Sequence, residues 1–339
     1  MKAIQLMEPN RLVEREVPKP SAGPGEAIIK VKAVGICGTD VGIYRGTSPA
    51  PYPIILGHEF CGTVVETGPN VDNVSAGDYV ISEASWGCGT CYFCQRGTPS
   101  YCEKPRMYGR TCDGALAEYV KSPAGVIHRI SSSIDPVEAQ GATAIATALR
   151  GLKRSGLKAG QSVAVLGAGH AGAVLLQLVK MAGGSPVFVT EAIQERLDLA
   201  MSLGADYGVN VLETGWMDRI RKGTGGYGPD VVIEATGRPD AVKQAVELVK
   251  KGGTVLVFGI TSGPVPEFVA RDLYNKDISI VGNKGGYFEY GNAVSLMESG
   301  RVRVRDLVTR VFPLHETALA FESVVNNPRA FLRAVISVE

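Results

Sequence analysis

Residues 163–172 read Val-Ala-Val-Leu-Gly-Ala-Gly-His-Ala-Gly, a short apolar strand running straight into a glycine pattern that opens a helix. In such a turn Gly167 permits the tight bend and Gly169 lets backbone approach a pyrophosphate. Gly172 lets helix and strand pack closely. The helix N-terminus then offers unpaired N–H groups and its positive dipole end to the phosphates. A lone G-x-G-x-x-G is weak evidence, but here the next apolar run, 186–190, ends at Glu191. A carboxylate there can accept from both hydroxyls of an adenine ribose. It also repels a 2′-phosphate, and Ala192, Ile193 and Gln194 offer no cation to offset it. The expected dinucleotide is NAD, not NADP. His170 is read as a surface side chain, because residues at this turn meet phosphate through their backbone.

The surrounding pattern agrees with that turn. Brief apolar runs at 163–166, 186–190, 207–210, 231–234, 254–258 and 278–281 alternate with helical stretches, notably 171–181, 193–203 and 241–250. Alternation of this kind predicts a parallel sheet covered on both faces, a doubly wound α/β fold of Rossmann type. Before residue 130 the texture is different. Segments such as 12–17 and 27–34 alternate apolar and polar residues between Gly and Pro, as half-buried strands do. Asp135-Pro136 caps a helix near 139–152. The expected organisation is a β-rich domain over 1–146, a dinucleotide domain over 147–284, and a return of 285–339 to the first domain.

The chain has 339 residues, 20% of them charged, with a net charge of +1. So neutral a balance gives no electrostatic reason to bind nucleic acid or an acidic membrane. Neither a signal peptide nor a bilayer-length apolar run is visible, so the expectation is cytoplasmic. Seven cysteines in a reducing compartment point to metal before disulfides. Cys88, Cys91, Cys94 and Cys102 form C-x2-C-x2-C-x7-C within a lobe at about 85–105. Four such thiolates close a tetrahedral zinc site with no place for water, which makes it structural. An iron–sulfur cluster also takes four thiolates, but ferredoxin-type runs differ in their last gap. Cys37 in Gly-Ile-Cys-Gly-Thr-Asp and His58-Glu59 in Gly-His-Glu-Phe also carry metal-ligand chemistry. Taken singly, Cys37 reads more often as a small buried residue and His58 as a satisfied core histidine.

Together these segments resemble the zinc-dependent medium-chain alcohol and polyol dehydrogenases, in which G-H-E and C-G-[ST]-D hold the catalytic zinc. The similarity spans essentially the whole chain, including the cysteine lobe, the Gly167 loop, Val232-Ile233-Glu234-Ala235-Thr236-Gly237 and Lys251-Gly252-Gly253. It implies that the β-rich domain is GroES-like and that Cys37, His58 and Glu59 bind a second, catalytic zinc. By the same resemblance Asp40 orients the imidazole, Thr39 accepts the substrate's proton, and Arg196 and Arg333 contact the adenosine ribose and the pyrophosphate. Ala84 and Tyr108, with Tyr44 and Arg110 nearby, would line the substrate pocket. Two departures stand out. Thr143 occupies the position of the family's further Cys or Glu ligand, and Gly42 that of a proton-relaying histidine. The Cys/His/Glu set is closer to sorbitol- and threonine-type members, which implies a polyol or another polar secondary alcohol as substrate and a homo-oligomer, dimer or tetramer. The competing readings are a zinc-free quinone or enoyl reductase and a non-catalytic NAD-binding protein with structural zinc only.

Overall fold

The computed structural model describes residues 1–261, 263–266 and 270–338. The chain divides into two compact units, Met1–Ala146 with Gly285–Glu339, and Thr147–Lys284.

In the first unit, strand Glu26–Gly35 is the axis. Seven of its ten residues are buried, with Ala27, Ile28 and Ile29 fully enclosed. It pairs antiparallel with Glu59–Thr67, Tyr119–Pro123 and Ala334–Ser337. The last of these pairs parallel with Arg310–Pro313, so the C-terminal segment completes the N-terminal sheet. A smaller sheet joins Arg11–Glu16, Lys2–Glu8 and Ile54–Ile55. Apolar side chains from both sheets, among them Leu6, Ile29, Val34, Leu56, Phe60, Phe312 and Phe321, form one core. The Asp135-Pro136 signal holds: Asp135 accepts from Val137 N at 2.7 Å and Pro136 opens the helix Pro136–Ala139. One long helix was expected over 139–152; the structure instead has Pro136–Ala139 and then Ala142–Ser155.

The second unit, among the described residues, is a six-stranded parallel sheet. Its order is Tyr207–Asn210, Val187–Glu191, Val163–Leu166, Val231–Glu234, Thr254–Val257 and Ser279–Gly282. Numbered along the chain this is 3-2-1-4-5-6, the doubly wound order whose reversal point lies beside the first strand. Residues of the central strands are buried, as a sheet covered on both faces requires. Helix His170–Met181 packs so closely on the loop before it that a Cβ on Gly172 would lie 1.9 Å from Gly167 O. No helix among the described residues is long and apolar enough to cross a membrane.

Gly172→Ala should therefore push helix His170–Met181 off the first strand and destabilise this unit by about 1–3 kcal/mol. The check is a urea unfolding midpoint; an unchanged midpoint would show that the close approach is not needed.

Candidate metal centres and dinucleotide site

Register brings the first cluster together. Gly35 pairs with Glu59, so the end of one central strand lies against the start of the next. Cys37 follows the first of these strands and precedes helix Gly38–Tyr44, while His58 precedes the second. Asp40, 1% exposed, ties the two together. One carboxylate oxygen accepts from Cys37 N at 2.9 Å. The other accepts from Gly57 N and from His58 Nδ1, each at 3.2 Å. With Nδ1 committed to a carboxylate, Nε2 is the nitrogen left for a metal, the arrangement that fixes an imidazole's tautomer and aim. One donor atom from each of Cys37, His58 and Glu59 lies within 4.8 Å of the others. A thiolate, an imidazole and a carboxylate suit zinc. Thr39 lies half-buried in the first turn of the same helix.

Without metal these groups act on one another. Burial pushes the Cys37 thiol up, but the hydrogen bond and charge of His58 outweigh it and bring it down to about 7. Burial likewise lowers His58, yet the Asp40 carboxylate overrides that and holds the imidazolium up to about 10.

The four lobe cysteines form the second cluster, their sulfurs all within 4.8 Å of one another. Cys91 and Cys102 Sγ are 3.8 Å apart. Backbone N–H groups of Cys88 and Lys104 donate to Cys102 Sγ at 3.2 and 3.3 Å. Thr90 donates to Cys88 Sγ, and with the backbone N–H groups it draws that thiol down to about 6. Four sulfurs so close together are a donor set that could hold one ion.

In the second unit, Glu191 closes the dinucleotide turn. Its carboxylate accepts from Ala168 N at 3.2 Å and from Ala192 N at 2.7 Å, which joins the end of the second strand to the glycine loop. Arg196 lies 3.9 Å from the same carboxylate, so a cation is present beside it, two residues beyond the three that offer none. His170 is not a surface side chain: it is half-buried with Nε2 shielded and unpartnered, and burial lowers it to about 4.

Several other expectations shift. Arg333, expected at the pyrophosphate, is 3% exposed and lies inside the first unit, where it pairs with Glu59 and donates to Ile36 O and Gln140 Oε1, each at 3.0 Å. Tyr108 and Tyr44, expected in the substrate pocket, are core aromatics. Tyr108 packs on Phe60 and Trp86 at 5.3 and 4.8 Å, and Tyr44 on Phe321 at 5.1 Å. Burial of a ring on the core face outweighs its one polar tip, which Tyr108 satisfies on Ser82. Arg110 is exposed. Ala84 is buried, and its N–H donates to Tyr290 Oη at 2.9 Å. Thr143 is also buried, with its hydroxyl bonded to the same Tyr290. Gln140 and Tyr290 carried no recognisable motif; their roles come from contacts made across 193 and 206 residues of chain.

Residues 23–132 match the model of the alcohol dehydrogenase GroES-like domain, and residues 171–299 that of the zinc-binding dehydrogenases. The chain is 35% identical to L-threonine 3-dehydrogenase of Caldanaerobacter subterraneus subsp. tengcongensis, over 93% of its own length and 92% of the relative's. The chain belongs to the zinc-type medium-chain dehydrogenase/reductase family. This dehydrogenase is also 31% identical to the sorbitol dehydrogenase of Halalkalibacterium halodurans, over 91% of each chain. A structure from Sinorhizobium meliloti, described as a zinc-binding dehydrogenase bound to NADP, superposes with a TM-score of 0.94 at 32% identity, covering 99% of both chains. The medium-chain dehydrogenase is thus an alcohol oxidoreductase that uses zinc and a nicotinamide cofactor. Neither the zinc-free reductase nor the non-catalytic reading is favoured, since both donor clusters are assembled.

A metal entering the Cys37 cluster must displace the protons of His58 and Cys37. Zinc affinity at this cluster should therefore rise with pH through neutrality and level off near 10, where His58 deprotonates without help. Chelator competition across that range measures it; an affinity independent of pH would contradict the assignment.

Proposed function

We propose that this dehydrogenase oxidises a polar secondary alcohol with NAD, using a zinc held by Cys37, His58 and Glu59, while a second zinc in the cysteine lobe is structural. The observation that carries this reading is the donor trio within 4.8 Å, its imidazole aimed by the buried Asp40. When bound, zinc would supply a Lewis acid for the alcohol oxygen and the nicotinamide a hydride acceptor. The chain's own residues do the rest. Asp40 keeps the His58 ring turned with Nε2 toward the metal position, and Thr39 takes the hydroxyl proton. Glu191 receives the adenine ribose, and the N–H groups at the start of helix His170–Met181 receive the pyrophosphate. Both named relatives act on polar alcohols, threonine and sorbitol, which supports a substrate bearing further hydroxyl or amino groups. Strand Ser279–Gly282 ends the parallel sheet with Ile280 exposed, an edge suited to pairing with a second copy. Seven cysteines free of disulfides suit the cytoplasm.

Cofactor choice turns on Glu191. Its carboxylate meets a 2′-phosphate as a like charge and keeps Arg196 engaged. Wild type should prefer NAD, and Glu191→Ala should free Arg196 for the 2′-phosphate and narrow the gap. A panel of polyols, amino alcohols and simple alcohols, followed by absorbance of the reduced cofactor, supplies the activity. Cys37→Ser should abolish it, remove one zinc and leave NAD binding intact, because the dinucleotide loop belongs to the other unit. Turnover by Cys37→Ser at the wild-type rate, or a wild-type preference for NADP, would overturn these assignments.

A further inference from the structure

Glu59 is held from behind. The Arg333 guanidinium pairs with one of its carboxylate oxygens, Oε2, and the other, Oε1, faces His58 Nε2 at 3.8 Å. Arg333 is itself fixed by Ile36 O and by Gln140 Oε1, and Gln140, 1% exposed, is anchored through its amide to Val137 O at 2.9 Å. Room for this assembly exists because Gly35, the in-register neighbour of both Glu59 and Val335, has no side chain. A Cβ there would lie 2.1 Å from both Arg333 Nη2 and Gln140 Oε1. A fully buried guanidinium is costly unless paired, and this one still leaves Nε without a partner. Meanwhile Thr143, at the position of the usual further ligand, has its hydroxyl engaged by Tyr290. The weight of completing the ligand set falls on Glu59.

From these contacts, and resting on the zinc site proposed above, we propose that Arg333 and Gln140 are positioning residues that present Glu59 to the catalytic metal through a single oxygen. The clamp occupies Oε2, so only Oε1 is available to the ion. It also offsets part of the carboxylate's charge, so that thiolate and carboxylate together do not fully quench the metal's positive field. A carboxylate released from the clamp can close on the ion with both oxygens, which raises the coordination number and strengthens its hold.

The test is cobalt(II) placed in the catalytic site of the holoenzyme, with the lobe metal retained. Wild type should show the intense visible bands of a four-coordinate ion with a thiolate ligand. Arg333→Met should lose much of that intensity as the ion becomes five-coordinate, and chelator should remove the metal several-fold more slowly. Arg333→Lys should move both readouts back toward wild type, because a cation returns without the planar fork. Gln140→Met, which leaves Arg333 in place but unbraced, should shift the spectrum in the same direction by less, and it provides the reading should Arg333→Met not fold. Identical spectra and release rates in wild type and both clamp variants would overturn the proposal. Absence of any cobalt–thiolate signature in wild type would instead overturn the catalytic-site reading beneath it.

Discussion

One buried carboxylate organises the first unit's chemistry. Asp40 accepts from Cys37 N, Gly57 N and His58 Nδ1, and so ties the end of one strand to the start of another and fixes an imidazole in the same act. A buried charge of this kind is tolerable only because each oxygen meets at least one donor. Its consequence is specific: His58 can offer only Nε2 outward. The metal-ligand geometry is therefore a property of the backbone turn around Asp40, and the ligands themselves add little to it.

Charge balance also shapes the site. In the zinc site proposed above, Cys37 and Glu59 would bring two negative charges to a divalent ion, while Arg333 pairs with Glu59. In the other unit Glu191 likewise sits beside an arginine, Arg196, while accepting from the backbone of the glycine loop. In both places a carboxylate is paired with an arginine. At low effective dielectric such neighbours matter more than their exposed counterparts would.

Much of this was legible in the sequence, and the reasons are physical. Local patterns carried the parallel sheet: strands Val163–Leu166, Tyr207–Asn210 and Val231–Glu234 fall where apolar runs place them. The four-cysteine spacing places all its ligands within one short loop, so sequence proximity stands in for spatial proximity. Arg333 failed that test. Its partners Ile36, Glu59 and Gln140 are far off along the chain, and only the pairing of Ala334–Ser337 with Glu26–Gly35 brings them near. Tyr44 and Tyr108 misled for a related reason, because an aromatic with a hydroxyl looks the same in a sequence whether its ring lines a pocket or fills a core. Gln140 and Tyr290 gave no signal at all, as a single polar residue acquires meaning only from what the fold sets beside it.

In the proposed site Cys37, His58 and one oxygen of Glu59 are the protein ligands of a catalytic zinc, in a chain with threonine at position 143. Anomalous diffraction at the zinc edge from zinc-loaded crystals tests it most directly. Two peaks per chain are expected: one inside the Cys88–Cys91–Cys94–Cys102 lobe, the other within bonding distance of Cys37 Sγ, His58 Nε2 and Glu59 Oε1, with Oε2 still on Arg333. A second peak that is missing, or one that Glu59 does not approach, would contradict it.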